Sequence, residues 1–163
     1  MPDADDHLWY FAYGSNLCPS TFVERRKLAP LEAHCARLDG HALRFDLPIG
    51  PGERAVANLE AVPDVYTWGV VYRITPADAD RLDVTEGVHR GYYARAHVTV
   101  HRPSAADTVA AYTLISPHRV AGRRPSARYL GIILDGARHH GLPAEWIAYL
   151  EALELAVDER LSG

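Results

Sequence analysis

The sequence is almost without lysine: Lys27 stands alone among 17 basic residues, and the other sixteen are arginine. Schiff-base and pyridoxal-type chemistry need a placed lysine, so both are poor assignments. Cysteine is equally scarce. Cys18 and Cys35 fall in different segments and form neither a C-x-x-C pair nor a disulfide framework. No apolar run approaches the ~20 residues that span a bilayer. Charge of one sign is missing too. Twenty-one acids against 17 bases leave a net charge of -4, and the longest basic run is Arg25-Arg26-Lys27. Such a field is too weak to make nucleic acid the expected partner. The N-terminal MPDADDH is acidic and polar, the wrong chemistry for a signal or transit peptide. A cytoplasmic chain with no membrane partner is the plain expectation.

What is present is ordinary globular composition, 48% apolar and 23% charged over 163 residues. That length suits one domain. We expect it over residues 8–157, with tails at 1–7 and 158–163. Leu8 to Tyr13 is a short aromatic run that fits a buried strand ending at Gly14. Gly14-Ser15-Asn16 is turn chemistry. A helix is expected from Pro19, with Thr21 and Glu24 as a capping box and Pro30 as its stop. Further strands are expected at Ala36 to Phe45, Ala55 to Val62, Val65 to Ile74, Tyr93 to His101 and Thr108 to Ile115. Thr75-Pro76 opens a helix that delivers the chain to Glu86-Gly87. Ser126 caps a helix through about His139, and Pro143 opens a last one through about Val157. About six strands with helices mostly late in the chain predict an α+β fold, a small mixed barrel-like sheet with helices against it.

Three features could carry chemistry. His97 and His101 suit a helix face, but their segment reads as strand, which puts them ~13 Å apart and unable to share an ion. No metal site is expected. The Tyr13–Leu17 turn presents backbone N–H groups between a strand and a helix, an arrangement that holds an anion or oxyanion or simply makes a turn. Ser15 lacks the G-x-S-x-G context of a nucleophile elbow. Glu86, flanked by glycine and aromatic residues between a helix and a strand, is placed for partial desolvation and general-base work. A solvated loop glutamate is the bland alternative.

Together these motifs resemble the gamma-glutamylcyclotransferases. The match is carried by YFAYGSNL at Tyr10–Leu17, WGVVYRI at Trp68–Ile74, LDVTEGVHRGYY at Leu82–Tyr93 and PSARYLGIILDGARHHGLPAEW at Pro125–Trp146. It extends from about Tyr10 to Leu153. The resemblance implies a compact fold with a pocket at the YGSN loop, no cofactor, and conversion of a gamma-glutamyl amino acid to 5-oxoproline and free amino acid. It implies Glu86 as the acid/base. It places Tyr10, Phe11, Ala12, Tyr13, Gly14, Ser15, Asn16 and Leu17 at the substrate, chiefly through loop backbone, with Tyr93 and Tyr129 nearby. Relatives include dimers, so a homodimer is compatible, although Trp146 and Tyr149 suit a core as well as an interface.

The chain also departs from the family. The Leu47–Val62 segment is short and lacks the paired glycines of many relatives, and Tyr92 stands where other residues are common. Both changes fall on the leaving-group side of the implied pocket. Two other readings compete. One keeps the chemistry but removes a gamma-glutamyl protecting group from a natural-product intermediate. The other is a non-catalytic binding domain of the same fold, against which the acid at position 86 argues.

Overall fold

The computed structural model describes residues 6–157; of the tails expected at 1–7 and 158–163, residues 1–5 and 158–163 lie outside the described residues. Five strands close into a barrel in the order β1-β3-β2-β4-β5. They are β1 (Leu8–Ala12), β2 (Glu32–Pro48), β3 (Ala55–Ile74), β4 (Ala94–Arg102) and β5 (Asp107–Ile115). Neighbours run antiparallel except at the closure, where β1 and β5 pair in parallel at Tyr10 and Tyr112. Three helices flank the sheet: α1 (Pro76–Thr85), α2 (Ala127–His139) and α3 (Ala144–Glu151). No helix among the described residues is long and apolar enough to cross a membrane.

The sequence pattern explains the barrel. Trp68, Val70, Val71, Tyr72 and Ile74 of β3 are all buried, on both faces of the strand. A strand covered on both sides reads as a continuous apolar run rather than an alternating one. β4 is covered less, and its burial is patchy. Phe11, Leu59, Leu82, Val100, Ile133 and Leu150, from six different elements, are fully buried in one core.

Several expectations shift. The count is five strands rather than six, because the two segments joined at Pro63-Asp64 form one long β3. The break is nevertheless real in the ladder. Asp39 pairs with Tyr66 and His41 with Ala61, so Val62–Val65 bulge out of the pairing with β2. Pro63 has no N–H to give, and Asp64 adopts φ 66. The helix expected from Pro19 is a short π-helical turn, Ser20–Arg25, whose first residues receive no side-chain cap. Thr21 is buried instead of capping, and the turn is ended by Lys27 at φ 61, before Pro30 is reached. α3 stops at Glu151, because the chain beyond it bonds elsewhere: Ala156 N–H donates to Pro125 O and Val157 N–H to Glu53 Oε2. The caps at Thr75 and Ser126 form as expected, accepting from Asp78 N–H and Tyr129 N–H, both at 3.1 Å.

Candidate active site

β1 ends inside the barrel rim and delivers the chain to a 3-10 turn, Ser15–Leu17. Three elements hold this turn. Tyr72 of β3 donates its hydroxyl to Asn16 O at 2.8 Å. Thr113 of β5 donates to Phe11 O at 2.8 Å. α2 presses on the turn through Gly136, where a Cβ would lie 2.6 Å from Cys18 N and as close to the Leu17 side chain. Only glycine permits that approach, which accounts for the Gly-Ala pair in the α2 motif.

The other half of the site comes from α1. The helix is pinned to β4 by Asp83, whose carboxylate accepts from Arg95 Nε at 2.8 Å, and to the core by Ala79 and Leu82. It ends on Glu86, whose N–H closes the last turn on Leu82 O at 2.9 Å. Gly87 then takes φ 69, with the Tyr92 ring 2.7 Å from where a Cβ would stand. Both the left-handed backbone and the close ring demand glycine there.

These elements enclose a cavity of about 320 Å³ lined by Tyr10, Tyr13, Gly14, Ser15, Asn16, Ala57, Glu86, Tyr93, Leu114 and Tyr129. It suits one compact polar group. Asn16 Nδ2 donates to Glu86 Oε1 at 3.1 Å and to Tyr10 OH at 3.0 Å. The carboxylate can only accept, so the amide orientation is fixed by chemistry. Asn16 Oδ1 is buried with no partner among the described residues. Arg26, at the end of the π-helical turn, places Nη2 3.2 Å from the same Glu86 oxygen. Single π-type turns recur at functional sites. Among the described residues, Glu86 Oε2 accepts no hydrogen bond.

Four tyrosines wall the cavity. Tyr13 donates to Leu114 O at 2.5 Å and Tyr93 to Ala57 O at 3.0 Å. Tyr10 and Tyr129 instead accept, from Asn16 and from Ala57 N–H at 3.0 Å, and Ser15 lies within hydrogen-bonding reach of the Tyr129 hydroxyl. Burial raises all four hydroxyls. Tyr10 and Tyr13 go well above their ordinary value, with the Glu86 charge adding to the effect, and Tyr93 rises likewise. Tyr129 is pushed up to about 12 by burial, with the Ala57 amide pulling the other way. All four therefore stay neutral near pH 7.

Eight of the eleven residues singled out in the sequence line this cavity. The other three, Phe11, Ala12 and Leu17, have side chains wholly in the core. Sequence reasoning missed Ala57 and Leu114, whose backbone groups hold the tyrosines and which carry no signal of their own. It also missed Arg26. The Arg25-Arg26-Lys27 run was visible, but only the π-type winding turns its middle residue inward. Cys18 and Cys35 are free thiols, and Cys18 Sγ lies 3.0 Å from Ser20 Oγ. His101 sits on β4 beside Asp39, at 3.1 Å. Trp146 is buried and Tyr149 exposed.

Residues 66–150 match the AIG2-like family. The human gamma-glutamylcyclotransferase is 32% identical over 157 residues, covering 94% of this chain and 81% of that one. The chain belongs to the gamma-glutamylcyclotransferase family. A further member, the gamma-glutamyl cyclotransferase gliK of Aspergillus fumigatus, is 30% identical over 183 residues, covering 94% of this chain and 64% of its own. A solved gamma-glutamyl cyclotransferase structure superposes with a TM-score of 0.79 at 27% identity, covering 96% of each chain. The closed barrel with flanking helices is thus the gamma-glutamylcyclotransferase fold.

Proposed function

We propose that the protein converts gamma-glutamyl amino acids to 5-oxoproline and free amino acid, with Glu86 moving the proton. The substrate's α-nitrogen attacks its own γ-carbonyl carbon. A C–N bond forms in the new five-membered ring and the amide C–N bond breaks. The reaction is redox-neutral, and an intramolecular attack needs mainly the right rotamer held still. An α-amine has a pKa of ~8 and is largely protonated near neutrality. Glu86 takes that proton and releases it to solvent, then takes the second proton that the nitrogen loses in becoming the ring N–H and returns it to the departing nitrogen, so one carboxylate serves both halves of the step.

The observation that carries this reading is the anchoring of Glu86. One oxygen, Oε1, is held by Asn16 of the YGSN turn, 70 positions away in sequence, and by Arg26. The other is left to accept a proton. Tyr10, whose hydroxyl proton goes to no described protein group, supplies a donor to the substrate's carboxylate or carbonyl oxygen, with Tyr129 beside it in the lining. The Asn16 amide at the start of the Ser15–Leu17 turn, which the turn does not itself use, adds to it. The test is 5-oxoproline release from gamma-glutamyl-alanine. The wild-type protein is expected to release it and Glu86→Gln is not; an inactive wild type would refute the assignment.

A further inference from the structure

A second cavity opens on the far side of Glu86. It measures about 550 Å³ and shares Glu86 and Tyr93 with the first. Its walls are Leu47, Pro48, Ile49 and Val56 on one side, and Thr85, Gly87, Arg90 and Tyr92 on the other. Resting on the activity proposed above, we infer that this groove seats the departing amino acid. Arg90 and Tyr92 select one with a large apolar or aromatic side chain and a free α-carboxylate.

Continuity with the catalytic carboxylate comes first. Ring closure expels the amine at the point where Glu86 returns its proton. Everything attached to that nitrogen must therefore lie past Glu86, outside the small glutamyl cavity. The groove is the space that Glu86 borders on that side, and it is the larger of the two.

The chemistry of the walls comes second. Ile49 and Tyr92 are 45% and 51% exposed, so each wall offers apolar surface to a ligand rather than to the core. The Arg90 guanidinium lies 5.4 Å from the Tyr92 ring centroid and pairs with no carboxylate among the described residues. Glu86 is the one acid in the lining. A cation at the mouth of an apolar groove matches a carboxylate attached to an apolar side chain.

The third element is preformed geometry. The Val88–Arg90 turn is closed at both ends by glycines in the left-handed region, Gly87 and Gly91. Arg90 N–H and Tyr92 N–H both donate to Gly87 O, at 3.0 and 3.1 Å, and His118 Nε2–H donates to Gly91 O at 2.9 Å. On the facing wall, Ile49 N–H bonds Arg54 O at 3.1 Å, closing the β2–β3 connection. The backbone of both walls is already fixed by these bonds, which lowers the ordering cost of binding.

The test measures kcat/KM for 5-oxoproline release from gamma-glutamyl-phenylalanine, gamma-glutamyl-alanine and gamma-glutamyl-phenylalaninamide. The wild type is expected to prefer phenylalanine over alanine by about tenfold, the low end for a side chain in an apolar site because the groove is open. It is expected to prefer the free acid over the amide by a similar factor. Arg90→Gln should narrow the acid-over-amide preference to about twofold, and Arg90→Lys should keep most of it. Equal turnover of all three substrates, or an acid-over-amide ratio unmoved by Arg90→Gln in a folded protein, overturns the subsite and leaves the activity standing. No 5-oxoproline from any substrate overturns both.

Discussion

Replacing Glu86 by glutamine changes one oxygen to nitrogen and leaves the shape intact. Asn16 Nδ2 can still donate to the remaining carbonyl oxygen at the position where it now lies, 3.1 Å from Oε1. What is lost is the charge and the proton acceptor. General base and acid work by one positioned group is worth about 10²–10⁴ in rate, and here the same group does both. We therefore expect kcat to fall by about 10³ to 10⁴, or about 4–5.5 kcal/mol of barrier. The structural cost is separate and smaller. The Arg26–Glu86 pair is 3.2 Å long, with side chains 18% and 16% exposed. It lies between an exposed pair, worth at most about 1 kcal/mol, and a buried pair, whose breakage costs about 3–5. Arg26 Nε is already buried without a partner, which pushes the loss upward. A destabilisation of about 2 kcal/mol corresponds to a Tm lowered by about 4–8 °C for a chain of this size. The assay is 5-oxoproline release from gamma-glutamyl-alanine at saturating substrate, beside a thermal melt. A folded Glu86→Gln protein with activity within threefold of wild type would refute the role of Glu86.

Four other perturbations follow from the same geometry. Arg26→Gln should lower kcat/KM by about tenfold with a smaller change in stability, because it frees Glu86 on one side only; an unchanged kcat/KM would show that Asn16 alone suffices. Tyr129→Phe removes the acceptor of Ala57 N–H and a hydroxyl of the cavity lining, so KM should rise about tenfold and Tm fall by a few degrees, since a part-buried N–H left unpaired costs about 1–3 kcal/mol. Gly136→Ala pushes a methyl into the Leu17–Cys18 backbone, so a loss of about 1–3 kcal/mol in urea unfolding is expected, with activity falling alongside. His140, held below its ordinary value of 6.5 by burial and then by His139, sits 3.3 Å from the Tyr72 hydroxyl that holds Asn16. Its unfolded form protonates first, so its contribution is present above about pH 6.5 and is lost as pH falls below it; urea titrations at pH 7.5 and 5.5 should show a smaller acid loss in His140→Gln than in wild type.

The parts of the site legible in the sequence are those whose chemistry is local. The strand-to-turn change at Gly14, the Thr75 and Ser126 caps and the Glu86-Gly87 junction each depend on residues within a few positions. Each appears where the local pattern puts it. The illegible parts depend on distant partners. Nothing near Arg26 announces Glu86, since the two meet only because a π-type turn winds Arg26 inward against the end of α1. The union of the two β3 segments was hidden for the same reason. Pro63-Asp64 is a genuine local break, but β2 pairs on both sides of it and carries the strand through. The helix expected to Val157 ends early because Pro125 O and Glu53 Oε2 claim the amides beyond it.

Burial of the four tyrosines constrains the pH behaviour of the site. Every one of these hydroxyls is raised above its ordinary value, so none ionises in the range where the reaction is run. They act as neutral dipoles: Tyr13 and Tyr93 donate to Leu114 O and Ala57 O, while Tyr10 and Tyr129 accept from Asn16 and from Ala57 N–H. Preorganised dipoles of this kind stabilise charge without having to reorient as it develops. In the proposed step, the groups that change protonation are Glu86 and the substrate's own amine. Arg26 meets the same carboxylate from outside the cavity lining, 3.2 Å from Oε1. The polar framework is thus divided between residues that position and a single residue that exchanges protons. The fold serves this division by bringing Tyr10, Ala57, Leu114 and Glu86 from four separate stretches of chain to one cavity.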